Sequence, residues 1–205
     1  LSAEGDAFCS GANLKGIQPS LLTDDYAQSA LARLLRRLTT FEKPLVAAVH
    51  GLAIGGGTTL LLHCDFVYAA EGTRFQMPFT KLGLVPEFGS SYLIPLSAGM
   101  RLASELVLLG EPFDAATALR AGLVTSVEPA DGLMERAQRT ADTLAQMAPG
   151  PLRRSKNLLR QGHQAALEAT LEREGQALQE SLRSPELAEA VSAFLAKRAP
   201  DFSRF

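Results

Sequence analysis

The chain has no tryptophan, three tyrosines and only two cysteines in 205 residues. Cys9 and Cys64 cannot make a disulfide framework, and two thiols among apolar neighbours read as buried residues of a reducing compartment. Charge of one sign is also missing: a formal net charge of −2 gives no electrostatic case for nucleic acid, which needs a basic stripe. No apolar run approaches the length of a membrane span, so no membrane partner is expected. His50, His63 and His163 have no metal-ligand spacing with one another or with the cysteines, so no metal is expected. Leu1 to Phe8 holds neither an initiator Met nor a signal peptide and reads as starting just after a strand, so upstream sequence is expected. Ser203-Arg204-Phe205 is not a peroxisomal address of the Ser-Lys-Leu type. High Ala, Leu and Arg usage leans towards a bacterial cytoplasmic protein, with peroxisome and mitochondrion left open.

What is present is glycine, concentrated. Gly55-Gly56-Gly57 stands between an apolar strand candidate, Leu45 to Val49, and an apolar segment of helical character, Thr58 to Cys64. Consecutive glycines let the backbone take positive φ and approach a ligand closely. A helix starting there offers unpaired N–H groups, a place for a phosphate or for negative charge developing in a reaction. A second small-residue stretch, Gly5 to Gly16, reads as another tightly approached loop. Two main-chain donors converging on one oxygen would form an oxyanion hole, where losing one donor costs roughly 3–4 kcal/mol of transition-state stabilisation.

Elsewhere the pattern is α/β in front and helical behind. Apolar residues at 27, 30, 31, 34, 35 and 38 predict a helix over Tyr26 to Leu38, stopped by Lys43-Pro44. Asp65 to Ala70 and Thr73 to Met77 are strand candidates, the first parallel to Leu45–Val49 through a right-handed crossover. Pro78 to Ser91 is rich in Gly, Pro and Ser and carries one isolated acid, Glu87. Helices are expected over Met100 to Leu109 and Asp114 to Ala121, each ended by a glycine, with a last strand over Leu123 to Val127. Further helices are expected at about 131–148, 151–161, 164–183 and 185–198, the last with Ser184 as N-cap and Pro185 at its first position. This divides the chain into a core over 1–130 and a helical region over 131–205. Arg153, Arg154, Lys156 and Arg160 read as a solvated helix face, and His63-Cys64 as packed core.

Ala7-Phe-Cys-Ser-Gly-Ala-Asn-Leu14 and Lys43-Pro-Leu-Val-Ala-Ala-Val-His-Gly-Leu-Ala-Ile-Gly-Gly-Gly57 resemble the two signature blocks of the enoyl-CoA hydratase/isomerase (crotonase) family. Cys64-Asp-Phe-Val-Tyr-Ala-Ala70, Gly122-Leu-Val124 and Phe194-Leu-Ala-Lys-Arg198 continue the match in order along nearly the whole chain. The resemblance implies an α/β fold of the ClpP/crotonase type, a spiral of ββα units with a C-terminal helical region. It implies an acyl-CoA thioester substrate, with coenzyme A part of the substrate and no separate cofactor, and a homotrimer or hexamer. The thioester oxygen would sit between the N–H groups of Ala12 and Gly56. Asn13, Leu14 and Lys15 would lie along the substrate, although Lys15 reads equally well as a solvated lysine. Phe194 and Lys197 would help cover the adenine end of CoA, and an ordinary amphipathic tail helix explains them as well.

The acids narrow the reaction. Hydratases of this family carry one Glu two residues after the glycine triplet and another after a later Pro. Here Thr59 and Phe79 stand in those places, and neither can act as a carboxylate base. The remaining acid is Glu87, in Pro78-Phe-Thr-Lys-Leu-Gly-Leu-Val-Pro-Glu-Phe-Gly-Ser-Ser91, which resembles the block of peroxisomal-type Δ3,Δ2-enoyl-CoA isomerases whose Glu is the base. Phe88 departs from the glycine common there and is expected to narrow the acyl pocket. A glutamate in a loop is usually solvated, but Leu84, Val85, Pro86 and Phe88 predict burial and a raised pKa. The resemblance thus implies a 3-enoyl-CoA to 2-trans-enoyl-CoA isomerase of fatty acid β-oxidation, with Glu87 as base and Phe79 beside the substrate. Another enolate reaction on a different acyl-CoA, or a non-catalytic acyl-CoA-binding module, is the alternative.

Overall fold

The structure, a computed structural model, describes residues 1–12 and 29–205. Two strand–turn–strand–helix units build the front half. In the first, β1 (Val46–Val49) turns at Gly51 into β2 (Leu52–Ile54), followed by one α-turn, α2 (Gly56–Thr59), and a 3-10 turn over Leu60–His63. Gly51 has φ +63°, and a Cβ there would collide with the Asp6 carbonyl, so only glycine permits this corner. In the second, β3 (Phe66–Ala70) turns at Gly72 into β4 (Arg74–Gln76), followed by a 3-10 turn over Thr80–Leu82 and then α3 (Ser90–Ser104). Each unit contributes one strand to each of two sheets. β1 and β3 pair in parallel, Val46 opposite Phe66, and β6 (Ser126–Glu128) joins β3 in parallel. In the second sheet β2 and β4 are parallel, and β5 (Phe113–Asp114) is antiparallel to β4. This is the expected α/β spiral.

The strands read as continuous apolar runs because both of their faces are covered. Ala47, Val49, Val67 and Ala69 join the main core with Ala53, Leu61, Phe75, Met77, Ile94 and Phe113. Their alternate neighbours Ala48, Tyr68 and Ala70 face Leu133 and Ala137 of α5 (Leu133–Ala145).

α1 spans Ala30–Thr39 with Ser29 as its N-cap, so the expected start at Tyr26 lies outside the described residues. β2 was not anticipated from the sequence; three residues directly after a corner are too short to show a period. α4 (Ala115–Arg120) begins at Asp114, whose carboxylate accepts the Thr117 N–H at 2.8 Å. The segment Ser90–Leu109 is, by length and composition, long and apolar enough to cross a membrane, which corrects the expectation that no segment reaches that length. It is not one straight helix: Gly99 leaves helical geometry (φ 74°, ψ 156°), and Glu105–Leu109 is a π-turn.

The two helices expected at 151–161 and 164–183 are one helix, α6 (Pro149–Leu182), of 34 residues. It is anchored at its N-terminal end by charge. Lys156, 5% exposed, donates to Asp65 Oδ2 at 2.8 Å and to the Lys43 carbonyl at 2.6 Å. Arg160 donates to Asp65 Oδ1 at 2.9 Å and to the His63 carbonyl at 2.8 Å. Asp65 also accepts the Leu45 N–H at 2.7 Å. Lys156 and Arg160 are therefore internal ties rather than a solvated face, and burial lowers the Lys156 pKa. α7 (Pro185–Leu195) follows, capped by the Ser184 hydroxyl as expected.

Gly162 sits inside α6 with open space where a side chain would be. Gly162→Ala is expected to stabilise the fold by about 0.5–1 kcal/mol, through the helix propensity difference. Urea unfolding of the two proteins side by side measures it.

Candidate active site

The two glycine-punctuated loops meet. Cys9 forms a parallel bridge with Ala53 of β2, donating to the Leu52 carbonyl at 3.0 Å and accepting from Ile54 at 2.9 Å. A Cβ on Gly57 would lie 2.6 Å from the Cys9 Cβ, and one on Gly11 (φ +88°) would lie 3.1 Å from the Ile54 carbonyl oxygen. Both positions need glycine for the loops to touch. Ala12 follows directly and is exposed, so its N–H belongs to a loop pinned beside the glycine turn.

Gly55 (φ 56°, ψ −122°) turns the chain so that Gly56 and Gly57 occupy the first helical positions, where N–H groups have no intrahelical acceptor. Gly55 itself donates to the Gln76 carbonyl at 2.8 Å, which fixes the turn against β4. The helix is a single α-turn before it tightens to 3-10 geometry, shorter than the segment expected from Thr58 to Cys64. The donors therefore act as individual N–H groups rather than through a long aligned dipole. Thr58 and Thr59 are buried, and both turn their hydroxyls to backbone carbonyls: Thr58 to Ala53 and to Gln76 at 3.1 Å, Thr59 to Gly55 at 3.3 Å.

Glu87 lies against this turn. A Cβ on Gly56 would stand 2.9 Å from Glu87 Oε1 and 3.7 Å from the Phe88 ring. The isolated loop acid and the glycine donor, 31 positions apart in the chain, are thus neighbours in space. Burial of the carboxyl, with the nearby Glu174 charge added, pushes its pKa up to about 7. A carboxylate poised there can both take and return a proton near neutrality.

The loop that carries Glu87 is held at a backbone cost. Phe88 has φ +60°, a region where a bulky residue is an outlier costing of order 1–3 kcal/mol. Gly89 (φ 71°) follows in the same region. Phe88 is 2% exposed, tilted against the His63 ring at 6.2 Å, and its carbonyl accepts from His63 Nε2 at 2.7 Å. Burial holds His63 neutral, its pKa lowered to about 4, so Nε2 carries the proton it donates. His63 is core, as expected, but it also holds the loop. Glu174 of α6, buried, accepts from Gly89 N–H at 2.7 Å, Ser91 N–H at 2.9 Å and Ser91 Oγ at 2.6 Å.

Asn13, Leu14 and Lys15 lie outside the described residues. Phe79 is 5% exposed and packed in the main core cluster with Phe75, Met77 and Leu106. Phe194 (52% exposed) and Lys197 (φ +52°) are on the surface at the C-terminal end of α7. Glu174 is the residue that the sequence did not point to, and His63 was read only as packed core. The only signal for Glu174 was an acid at a position where the inner face of α6 should be apolar.

Two outcomes follow from this geometry. Gly56→Ala drives a methyl group towards Glu87 Oε1, and a displacement of this kind is expected to lower turnover about 10²-fold with an unchanged circular dichroism spectrum. The second is a pH dependence of stability. Glu87 ionises near 4.5 when unfolded and near 7 in the fold, so its ionisation costs stability progressively as pH rises across that window. Glu87→Gln is therefore expected to raise Tm at pH 8 and to lose most of that advantage at pH 5, as differential scanning calorimetry would show.

Comparison with known proteins identifies the family. The model of the enoyl-CoA hydratase/isomerase family matches residues 1–204. The chain is 42% identical over 170 residues to the 2,3-dehydroadipyl-CoA hydratase of Escherichia coli K12, covering 83% of this chain and 67% of that protein. It is 36% identical over 208 residues to the 1,2-epoxyphenylacetyl-CoA isomerase of the same organism, covering 99% and 79%. The crystal structure of an enoyl-CoA hydratase/isomerase from Pseudoalteromonas atlantica T6c superposes with a TM-score of 0.92 at 43% identity, over 99% of this chain and 80% of that one. The chain belongs to the enoyl-CoA hydratase/isomerase family.

Proposed function

We propose that this family member isomerises 3-enoyl-CoA to 2-trans-enoyl-CoA, with Glu87 as the single base. The observation that carries the reading is the apposition of Glu87 Oε1 to Gly56, with no acid at Thr59 or Phe79. A thioester oxygen between the Ala12 and Gly56 N–H groups would place C2 of the acyl chain beside that carboxylate. Glu87 removes the C2 proton, and the electron pair moves through the thioester carbonyl and the C3=C4 bond to give a dienolate. The two N–H groups meet the charge where it develops. The same acid returns the proton at C4 on the same face, and the double bond comes to rest between C2 and C3. No atom is gained or lost, so no water is needed.

Hydration calls for a second group to handle the water. Thr59 turns its hydroxyl to the Gly55 carbonyl, Phe79 is in the core, and Glu174 is taken up by three donors of the Gly89–Ser91 turn. The relatives are named hydratases more often than isomerases, and the isomerase among them acts on 1,2-epoxyphenylacetyl-CoA. The acid inventory of this chain favours the isomerase, as its likeness to the peroxisomal-type isomerase block does.

With cis- or trans-3-enoyl-CoA as substrate, 2-enoyl thioester is expected to appear, and Glu87→Gln is expected to lower kcat roughly 10²–10⁴-fold. Unchanged turnover in that variant rules out the base. Rapid hydration of 2-enoyl-CoA by the wild-type protein rules out the reaction.

A further inference from the structure

The peptide unit between Phe88 and Gly89 is gripped at both ends. Its carbonyl oxygen accepts from His63 Nε2 at 2.7 Å, and its N–H donates to Glu174 Oε2 at 2.7 Å. The two grips come from different parts of the chain, His63 from the turn after α2 and Glu174 from α6. Residue 88 is also where the backbone has positive φ in spite of a bulky side chain, a geometry that persists only where its surroundings over-determine it. Immediately before it stands Glu87.

α6 reaches this turn along one face. His163 Nδ1 meets the Tyr92 hydroxyl at 2.9 Å, Leu167 and Leu171 press on Gly89 where a Cβ would be, and Glu174 follows. The spacings of four, four and three place all of them on a single helical stripe. Leu167 and Leu171 contribute packing. Glu174 contributes a buried carboxyl group directed at the N-terminal turn of α3 through Gly89 N–H, Ser91 N–H and Ser91 Oγ.

We propose that Glu174 is the positioning residue of the base: its carboxylate, paired across the Phe88–Gly89 peptide with His63, locks the 87–91 turn so that Glu87 faces Gly56 and holds a second acid close to it. This rests on Glu87 being the base. Two acids with one locked by three donors and the other in a poorly solvated position will not share the cost of charge equally. Burial raises the pKa of Glu174 as well, and its three hydrogen-bond donors oppose that rise by favouring the charged form. The raised pKa of Glu87, for which burial comes first and the Glu174 charge second, is consistent with this division. Among the described residues, the charged and titratable groups around the turn are Glu174, Arg173, His163 and Arg160 from α6, Tyr92 from α3, His63 from the turn after α2, and Glu87 itself. His63 is neutral throughout the working range and contributes no charge.

The test compares wild type, Glu174→Gln and Glu174→Asp by the pH dependence of kcat for 3-enoyl-CoA isomerisation. Removing the charge in Glu174→Gln is expected to move the acidic limb of the profile down by roughly one unit and to lower kcat at least about 10-fold. KM should change little. Glu174→Asp keeps the charge but falls one methylene short, so it should lower kcat while leaving the limb near its wild-type position. A Glu174→Gln protein with the wild-type limb and kcat overturns the proposal, as does a loss confined to KM. If Glu174→Gln does not fold, 13C titration of the glutamate carboxyls in the wild-type protein carries the test, with Glu87 assigned from Glu87→Gln. A Glu87 curve with a second inflection at the pH where Glu174 titrates supports the coupling, and a curve with no such inflection overturns it. Full activity in Glu87→Gln would instead remove the base itself, a different failure from an unaltered Glu174→Gln.

Discussion

Residue 56 has no side chain, and the Glu87 carboxylate occupies the neighbourhood a side chain would need. That close approach, 2.9 Å from the position of a Cβ, puts an acid beside a backbone donor without any intervening group. A carboxylate next to the site of a developing oxyanion would normally repel it. Here burial keeps Glu87 protonatable, with a pKa of about 7, and the negative charge alternates between the acid before proton removal and the thioester oxygen after it. The requirement is therefore for one negative charge at a time in a site with fixed N–H donors.

The rest of the chain holds that juxtaposition in place. The first unit supplies the donors through Gly51, Gly55 and the contact of Gly57 with Cys9. The second unit supplies the acid on a turn whose backbone is strained at Phe88. Neither unit is enough to fix the turn, and α6 completes it: Lys156 and Arg160 tie one end of the helix to Asp65 at the start of β3, and Glu174 ties the same face to the 87–91 turn. Buried ion pairs of the first kind add little net stability but are costly to break. Their consequence here is registry, since they set where along the core Glu174 lands.

Legibility in the sequence followed the physics of each element. β1 and β3 were readable because a strand covered on both faces must be apolar throughout, and the ends at Gly110 and Gly122 were readable because those glycines take left-handed geometry, whereas the start of α3 at Ser90, ahead of the expected Met100, was not. β2 was not readable, because three residues after a corner show no alternation. α6 read as two helices because its inner stripe is Lys156, Arg160, His163 and Glu174 as much as Leu167, Leu171 and Leu178. A stripe of polar residues paired with other polar groups breaks the apolar period on which such reading depends, and Gly162 lies in the gap. The same feature hid Glu174, whose role depends on partners 83 and 85 positions away. Glu87 was readable from its apolar neighbours and from the resemblance together. Its contact with Gly56 was not, since sequence spacing alone does not show which loops converge.

Isotope transfer tests most directly whether one acid, shielded from water beside the oxyanion donors, carries out the proton shift. 3-Enoyl-CoA dideuterated at C2 would be converted in water labelled with heavy oxygen but free of deuterium, and the 2-enoyl product analysed for deuterium at C4 at low conversion. A single base on one face returns part of the label, so measurable deuterium at C4 is expected from the wild-type protein. Deuterium absent from C4, with oxygen from labelled water found at C3, would contradict it.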